Sequence, residues 1–155
     1  MPKIFPAQTD EDFDTAKKLL VEYVDSLGFD LSFQDIEQEL ADLPNHFALP
    51  RGCLLLAVHD SQTSGCVALK RFDNSVCEME RLYVKPQFRR LGIGRALAEN
   101  IITQARKLGY DYMRLHTILP REAARTLYLS LGFEDIDSYC YNPMENVAFM
   151  ELKLI

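Results

Sequence analysis

The chain has 155 residues, of which 48% are hydrophobic and 26% charged, enough material for one soluble globular domain with a sizeable core. Its 17 Lys and Arg against 23 Asp and Glu leave a net charge of -6, which argues against nonspecific nucleic-acid binding, where basic side chains must neutralise phosphates. The stretch Met1-Pro2-Lys3-Ile4-Phe5-Pro6 lacks the apolar run of a secretory signal and nothing approaches membrane-spanning length, so a cytoplasmic protein with no membrane partner is expected.

Lys3 to Ala7 reads as a short first strand. Thr9-Asp10-Glu11-Asp12 opens a helix, with acids in the first turn where the helix dipole favours them. Phe13, Ala16, Leu19, Leu20 and Val24 form its apolar face, and Gly28 stops it. Ser32-Phe33-Gln34-Asp35 starts a second helix, with Ile36, Leu40 and Leu43 on one side and Pro44 as its end. Pro50-Arg51-Gly52 is a turn, and Cys53 to His59 has the length of a buried strand. A polar turn over Asp60 to Gly65 leads to strands at Cys66 to Arg71 and Val76 to Val84, joined through Asp73-Asn74-Ser75. Residues 53 to 84 are thus expected to form an antiparallel meander. Ile93, Leu97, Ile101, Ala105 and Leu108 draw one apolar stripe along a helix that ends at Gly109. Tyr112 to Thr117 is the next strand, and strand, helix, strand implies a right-handed parallel crossover. Pro120 opens a helix carrying Ala123, Ala124, Leu127, Tyr128 and Leu131, closed by Gly132. Ile136 to Tyr141 and Val147 to Leu154 form a hairpin around Asn142-Pro143.

Cys53, Cys66, Cys77 and Cys140 include no Cys-x-x-Cys pair, and His46, His59 and His116 are dispersed. No metal is implied, and free thiols in a reducing compartment are the natural reading. With no repeat and no linker, residues 1–155 are expected to form a single α/β (α+β) domain. Its sheet should be mixed, with an antiparallel meander, a parallel crossover and helices on both faces.

The most informative stretch is Pro86-Gln87-Phe88-Arg89-Arg90-Leu91-Gly92-Ile93-Gly94-Arg95, a basic turn from a strand into a helix. Gly92 and Gly94 let a ligand approach the backbone closely, beside the unpaired N–H groups of a helix start. A phosphate-bearing ligand fits there. A dinucleotide fingerprint needs a third glycine where Leu97 stands, and a P-loop needs Gly-Lys-Ser/Thr; neither is present. What the stretch resembles, as Arg89-x-x-Gly92-x-Gly94 preceded by Val84 and Pro86, is the acyl-CoA diphosphate loop of the GNAT N-acetyltransferases. Ala124-x-x-Leu127-Tyr128-x-x-Leu131-Gly132-Phe133 continues that resemblance, which covers residues 76 to 135 closely and the rest by element order.

The resemblance implies acetyl-CoA as acyl donor, an amine-bearing small molecule or peptide as acceptor, and direct attack in a ternary complex. It implies donor contacts from Leu82, Tyr83 and Val84 and from Arg89, Arg90, Leu91, Gly92, Ile93, Gly94 and Arg95, with the Val84 N–H acting on the thioester carbonyl like an oxyanion-hole donor. That role requires the strands at Val84 and at His116-Thr117 to splay, with a bulge or early fraying as the visible consequence. The side chains of Tyr83 and Tyr112 are read as packing. A homodimer through the C-terminal strands is a family expectation alone.

Acetyl transfer also needs a base, because an alkyl ammonium with a pKa of ~10.4 has no lone pair at neutral pH. At period two, Glu78, Glu80, Leu82 and Val84 share one strand face, while Met79, Arg81 and Tyr83 share the other. Two carboxylates on one face of a central strand belong at a cleft. Glu78 stands where the GNAT pattern places its base; Glu80 is the second choice, and the alternative for either is pairing with Arg81 or Arg114. Tyr128 takes the position that GNAT enzymes commonly use to protonate or orient the CoA sulfur; the alternative is a core tyrosine on an apolar helix face. Arg121 replaces the Asn of the family pattern; Arg121 or Arg125 meets a CoA phosphate or lies on the surface. His116 is left out of the catalytic set. Phe29, Phe33, Phe47, Tyr139 and Tyr141 line the acceptor pocket or pack. A rival reading is a noncatalytic acyl-CoA-binding regulatory module on the same fold.

Overall fold

A computed structural model describes residues 2–27, 36–47, 51–118, 122–139 and 147–155. The expectations placed on Gly28, Phe29, Ser32 to Asp35, Pro50, Pro120, Arg121, Cys140, Tyr141, Asn142 and Pro143 lie outside those residues. In chain order the elements are β1 (Lys3–Pro6), α1 (Asp10–Leu27), α2 (Ile36–Ala41), α3 (Leu43–His46), β2 (Cys53–His59), β3 (Gln62–Arg71) and β4 (Val76–Val84). They continue with α4 (Ile93–Lys107), β5 (Tyr112–Ile118), α5 (Glu122–Ser130), β6 (Glu134–Ile136) and β7 (Val147–Lys153).

The strands form one seven-stranded sheet in the order β1-β2-β3-β4-β5-β7-β6. β1 to β4 are antiparallel neighbours, as the meander predicts. β4 and β5 pair in parallel, and β7 sits between β5 and β6, antiparallel to both. The sheet separates two cores. On one face α4 lays Ile93, Leu97, Ala98, Ile101, Ile102 and Ala105 against Leu55, Val67, Leu69, Cys77, Met79 and Met113. Each fully buried Leu, Ile, Val or Met among them contributes roughly 1.5–3 kcal/mol of transfer free energy. On the other face Ala16, Leu19 and Leu20 of α1, with Leu43 and Phe47, cover Leu54, Leu56, Cys66, Ala68 and Tyr83. The mixed sheet with helices on both faces is therefore as expected.

Local chemistry sets the boundaries. Thr9 Oγ1 accepts from Asp12 N at 3.0 Å while Asp12 Oδ2 accepts from Gln8 N and Thr9 N, a reciprocal cap that starts α1. Pro44 does not end a helix: it lies in the first turn of α3, where a missing N–H costs nothing. The turn expected over residues 60–65 shrinks to Asp60-Ser61, both at positive φ (50° and 64°), because this two-residue mirror-image turn matches strand twist; β3 consequently starts at Gln62. β6 starts earlier than expected, at Glu134, and stops at Ile136. Among the described residues no helix is long and apolar enough to cross a membrane.

Candidate active site

The ladder between β4 and β5 is short. It covers Val76 to Glu78 against Tyr112 to Arg114 and then stops, although β4 continues to Val84 and β5 to Ile118. A bulge accompanies the opening. Glu80 faces Ala68 and Tyr83 faces Cys66, so Arg81 and Leu82 together oppose Val67. Arg81 has φ of 58°, a left-handed conformation that a non-glycine residue adopts at a cost of ~1–3 kcal/mol.

The extra residue reverses the alternation along β4. Directly opposed residues share a sheet face. Glu78 and Glu80, opposite Lys70 and Ala68, therefore stand on the α1 side together with Tyr83, whereas Leu82 and Val84 pack into the α4 core. The expectation that Glu78, Glu80, Leu82 and Val84 share a face is corrected: period two fails at a bulge, which leaves one residue unpaired. Tyr83 is a packing residue by its side chain, with its hydroxyl donating to Glu22 Oε2 at 3.0 Å.

Glu78 is 9% exposed, and its Oε2 accepts a hydrogen bond from the Tyr139 hydroxyl at 2.7 Å. The rings of Phe72 and Phe149 meet Tyr139 edge-on, and the Arg114 guanidinium lies 5.1 Å from the Tyr139 centroid. The two arginines considered as carboxylate partners pair elsewhere, Arg114 with Glu151 at 2.8 Å and Arg81 with Glu39 at 3.0 Å. Glu80 is half-buried. Burial lifts its carboxyl above the ordinary carboxylate range, opposed by the Arg81 charge and reinforced by Glu78. His116 of β5 faces Phe149 of β7. Burial holds its imidazole below the usual value, and the Glu80 charge offsets part of that effect.

The other face carries the basic loop. A short 3₁₀ turn at Pro86–Phe88 follows β4 and buries Phe88; α4 then starts behind Gly92 at φ 81°, with Arg90 also left-handed at φ 67°. No side chain caps α4. Its first internal bond runs from Ala96 N to Gly92 O at 3.1 Å, so the N–H groups of Ile93, Gly94 and Arg95 have no partner within the helix. A Cβ on Gly94 would lie 3.7 Å from Val84 Cγ2, which puts this helix start beside the end of β4, at the open end of the strand gap. Arg89 folds back so that its Nε donates to Val84 O at 3.1 Å, and Arg95 donates to Ser130 Oγ at 2.6 Å. Arg90 and Leu91 are exposed.

Tyr128 of α5 is 8% exposed, with its ring 5.8 Å from that of Phe133, in the core that includes Leu82, Val84 and Ile93. The loop and Tyr128 thus occupy one face of the sheet and both carboxylates the other. Arg125 forms a surface pair with Asp135 through two 2.6 Å hydrogen bonds. Phe47 is fully buried packing. Among the described residues no group of three His, Cys, Asp or Glu side chains is placed to hold a metal ion. Sequence reasoning missed Glu39, the buried partner of Arg81, because one glutamate in an amphipathic helix reads as solvated. It also missed the Tyr139 contact with Glu78, across which no local spacing points.

A model of the GNAT acetyltransferase family matches residues 17–133. An uncharacterized N-acetyltransferase of Schizosaccharomyces pombe is 40% identical over 146 residues, covering 93% of this chain and 90% of that protein. A GNAT-family acetyltransferase from Staphylococcus aureus superposes with a TM-score of 0.82 at 19% identity over the full length of both chains. One from Elizabethkingia anophelis, with acetyl-CoA bound, gives 0.66 at 22% identity, covering 98% of this chain and 97% of that one. The order of elements, the gap between β4 and β5, and the extent of the family match lead to one assignment: the chain belongs to the GNAT family and is an acyl-CoA-dependent N-acetyltransferase.

Proposed function

We propose that residues 1–155 act as one catalytic unit in the cytoplasm, transferring acetyl from acetyl-CoA to the primary amine of a small molecule or peptide within a ternary complex. The observation that carries this reading is the uncapped start of α4 beside Val84, at the mouth of the gap between β4 and β5. The amides of residues 90–95 hold the donor's diphosphate, aided by the helix dipole and by the positive charge of Arg90. Arg89 and Arg95 shape the loop through Val84 O and Ser130. The backbone of Leu82, Tyr83 and Val84 borders the gap and pairs with the donor's pantetheine arm like an added strand. A thioester held there has Tyr128 on one side and the carboxylates on the other.

The acceptor approaches from the α1 side as an ammonium and gives its proton to the carboxylate pair. Glu80 suits this task, because a carboxyl raised by burial is a better base near neutrality than an ordinary one. Glu78, the expected base, is oriented by Tyr139 and is the second station for that proton. The freed amine attacks the thioester carbon, the Val84 N–H takes the developing negative charge on oxygen, and the carbon–sulfur bond breaks. Tyr128 then gives its hydroxyl proton to the departing thiolate, and the second proton that the nitrogen sheds as it becomes an amide restores the tyrosine hydroxyl.

The buried thiols Cys53, Cys66 and Cys77 suit a reducing cytoplasm. A homodimer would form at the β6 edge of the sheet, and light scattering checks its mass. The reaction itself is tested by calorimetric titration of acetyl-CoA, followed by a panel of amines in a CoA-release assay. Saturable donor binding with release dependent on one class of amine is the expected result; no donor binding overturns the reading.

A further inference from the structure

Arg81 is an odd residue to find at a left-handed position inside a strand. Asn, Asp and Gly take that conformation more readily, and a long cation gains nothing from it locally. Its side chain explains the choice. Arg81 Nε donates to Glu39 Oε2 at 3.0 Å and Arg81 Nη2 donates to Glu39 Oε1 at 3.2 Å, a forked pair in which both partners are buried. Glu39 also lies 3.3 Å from His46 Nε2 of α3, and Arg81 O accepts from Cys66 Sγ at 3.5 Å. The residue is therefore gripped from α2 through its side chain and from β3 through its carbonyl. It sits three positions beyond Glu78, where pairing with β5 ends.

We propose that Glu39 and Arg81 are positioning residues for acetyl transfer: their ion pair fixes the bulge in β4 and so holds the Leu82–Val84 backbone turned into the gap between β4 and β5. The proposal rests on the acetyltransferase reading given above. Without the pair, an extended residue 81 restores the alternation that Glu78 and Glu80 begin, and the following amides rotate away from the gap. The pair also ties α2, on the acceptor side, to the backbone that borders the donor. Breaking it misplaces the thioester and loosens the pantetheine arm without touching the diphosphate loop, so chemistry suffers more than donor affinity does.

The test uses the full chain, CoA as the binding probe, and the amine selected in the CoA-release screen as acceptor. Glu39→Gln keeps the shape and removes the charge; it is expected to lower kcat by about tenfold or more, as small misplacements do, with a smaller rise in the Kd for CoA, whose diphosphate contacts at the loop are untouched. Two double variants then separate backbone from pair. E39Q/R81G removes both charges and supplies a residue that accepts positive φ, whereas E39Q/R81V removes both and favours an extended strand. Turnover in the glycine double, measured at saturating acetyl-CoA, is expected to exceed that in the valine double by about tenfold. Wild-type kcat in Glu39→Gln overturns the proposal, and so does equal turnover in the two doubles. If Glu39→Gln does not fold, the comparison of the doubles decides alone, and if those do not fold either, Arg81→Lys decides, since it keeps the charge but not the fork: unchanged kcat there overturns the proposal. Failure of the wild-type protein to bind CoA would instead sink the acetyltransferase reading and is recorded separately by the same titration.

Discussion

Gly94→Ala separates what the loop does for the fold from what it does for the ligand. In the free protein the new methyl lies 3.7 Å from Val84 Cγ2, an ordinary contact, and Gly94 is not at positive φ. Replacing glycine by alanine inside a helix is worth up to ~1 kcal/mol, and less in the first turn, so ~0.5–1 kcal/mol of stabilisation is expected. For a chain of this size that raises Tm by roughly 1–4 °C. A bound diphosphate reverses the sign. A phosphate oxygen must come within ~2.7–2.9 Å of an amide nitrogen, and a methyl beside that amide holds it off. Losing one hydrogen bond to a charged group costs about 1.5–3 kcal/mol, or about 10- to 100-fold in Kd for acetyl-CoA. Gly92→Ala is the contrast. Its methyl meets nothing within 4 Å, but φ of 81° forces the alanine into a left-handed conformation, and the protein should lose ~1–2 kcal/mol. Thermal melts and calorimetric titration of both variants read out the two effects. A Gly94→Ala protein that binds acetyl-CoA as wild type does would refute close approach of the donor at this helix start.

Tyr128→Phe should lower kcat for amine acetylation with little change in the Kd for acetyl-CoA; an unchanged kcat in a CoA-release assay removes the tyrosine from proton transfer. For Glu80, activity should rise with pH through a carboxyl pKa above the ordinary range, and Glu80→Gln should abolish that acid limb in the pH profile of kcat/KM. The same residue carries a stability prediction. Its folded pKa is raised above the unfolded one, so the folded state binds the proton more tightly, and the favourable contribution present at low pH is lost as pH rises through the folded value. Glu80→Gln should therefore melt higher than wild type at neutral pH, and the gap should close below the ordinary carboxylate range. A gap that widens on acidification would contradict the assigned burial. Arg125→Ala should leave the Kd for acetyl-CoA unchanged, because Arg125 is engaged with Asp135; a tenfold loss would return it to the donor site.

Much of the fold was legible because it rests on local signals. The stripe from Ile93 to Ala105 is a period that only a helix produces, and the two glycines at its start mark where backbone must stay uncovered. The meander from Cys53 to Val84 was legible for the same reason, apolar runs divided by turn residues. What escaped depends on pairing at a distance. An arginine signals nothing about a left-handed bulge, since the partner that holds its side chain, Glu39, lies 42 positions earlier. Strict alternation therefore put Leu82 and Val84 on the wrong face. In sequence Pro44 looks like a terminator because proline breaks helices from inside, yet it suits the first turn equally well. The carboxylates were identified as a pair from their spacing, but Glu78 and Glu80 differ through Tyr139 and through burial, and neither property is written in neighbouring residues.

The position of β7 has a consequence for synthesis. β6 leaves the ribosome before β7, yet its neighbour in the sheet is β7, which must enter between β6 and β5. Translation thus delivers the outermost strand before the one that it docks on. Until Met150, Leu152 and Leu154 arrive, the β5 edge is bare and the core beneath it lacks three of its side chains. A nascent chain at that stage presents an open template for β-pairing with its neighbours on the polysome, and it is there that a chaperone would have most to shield.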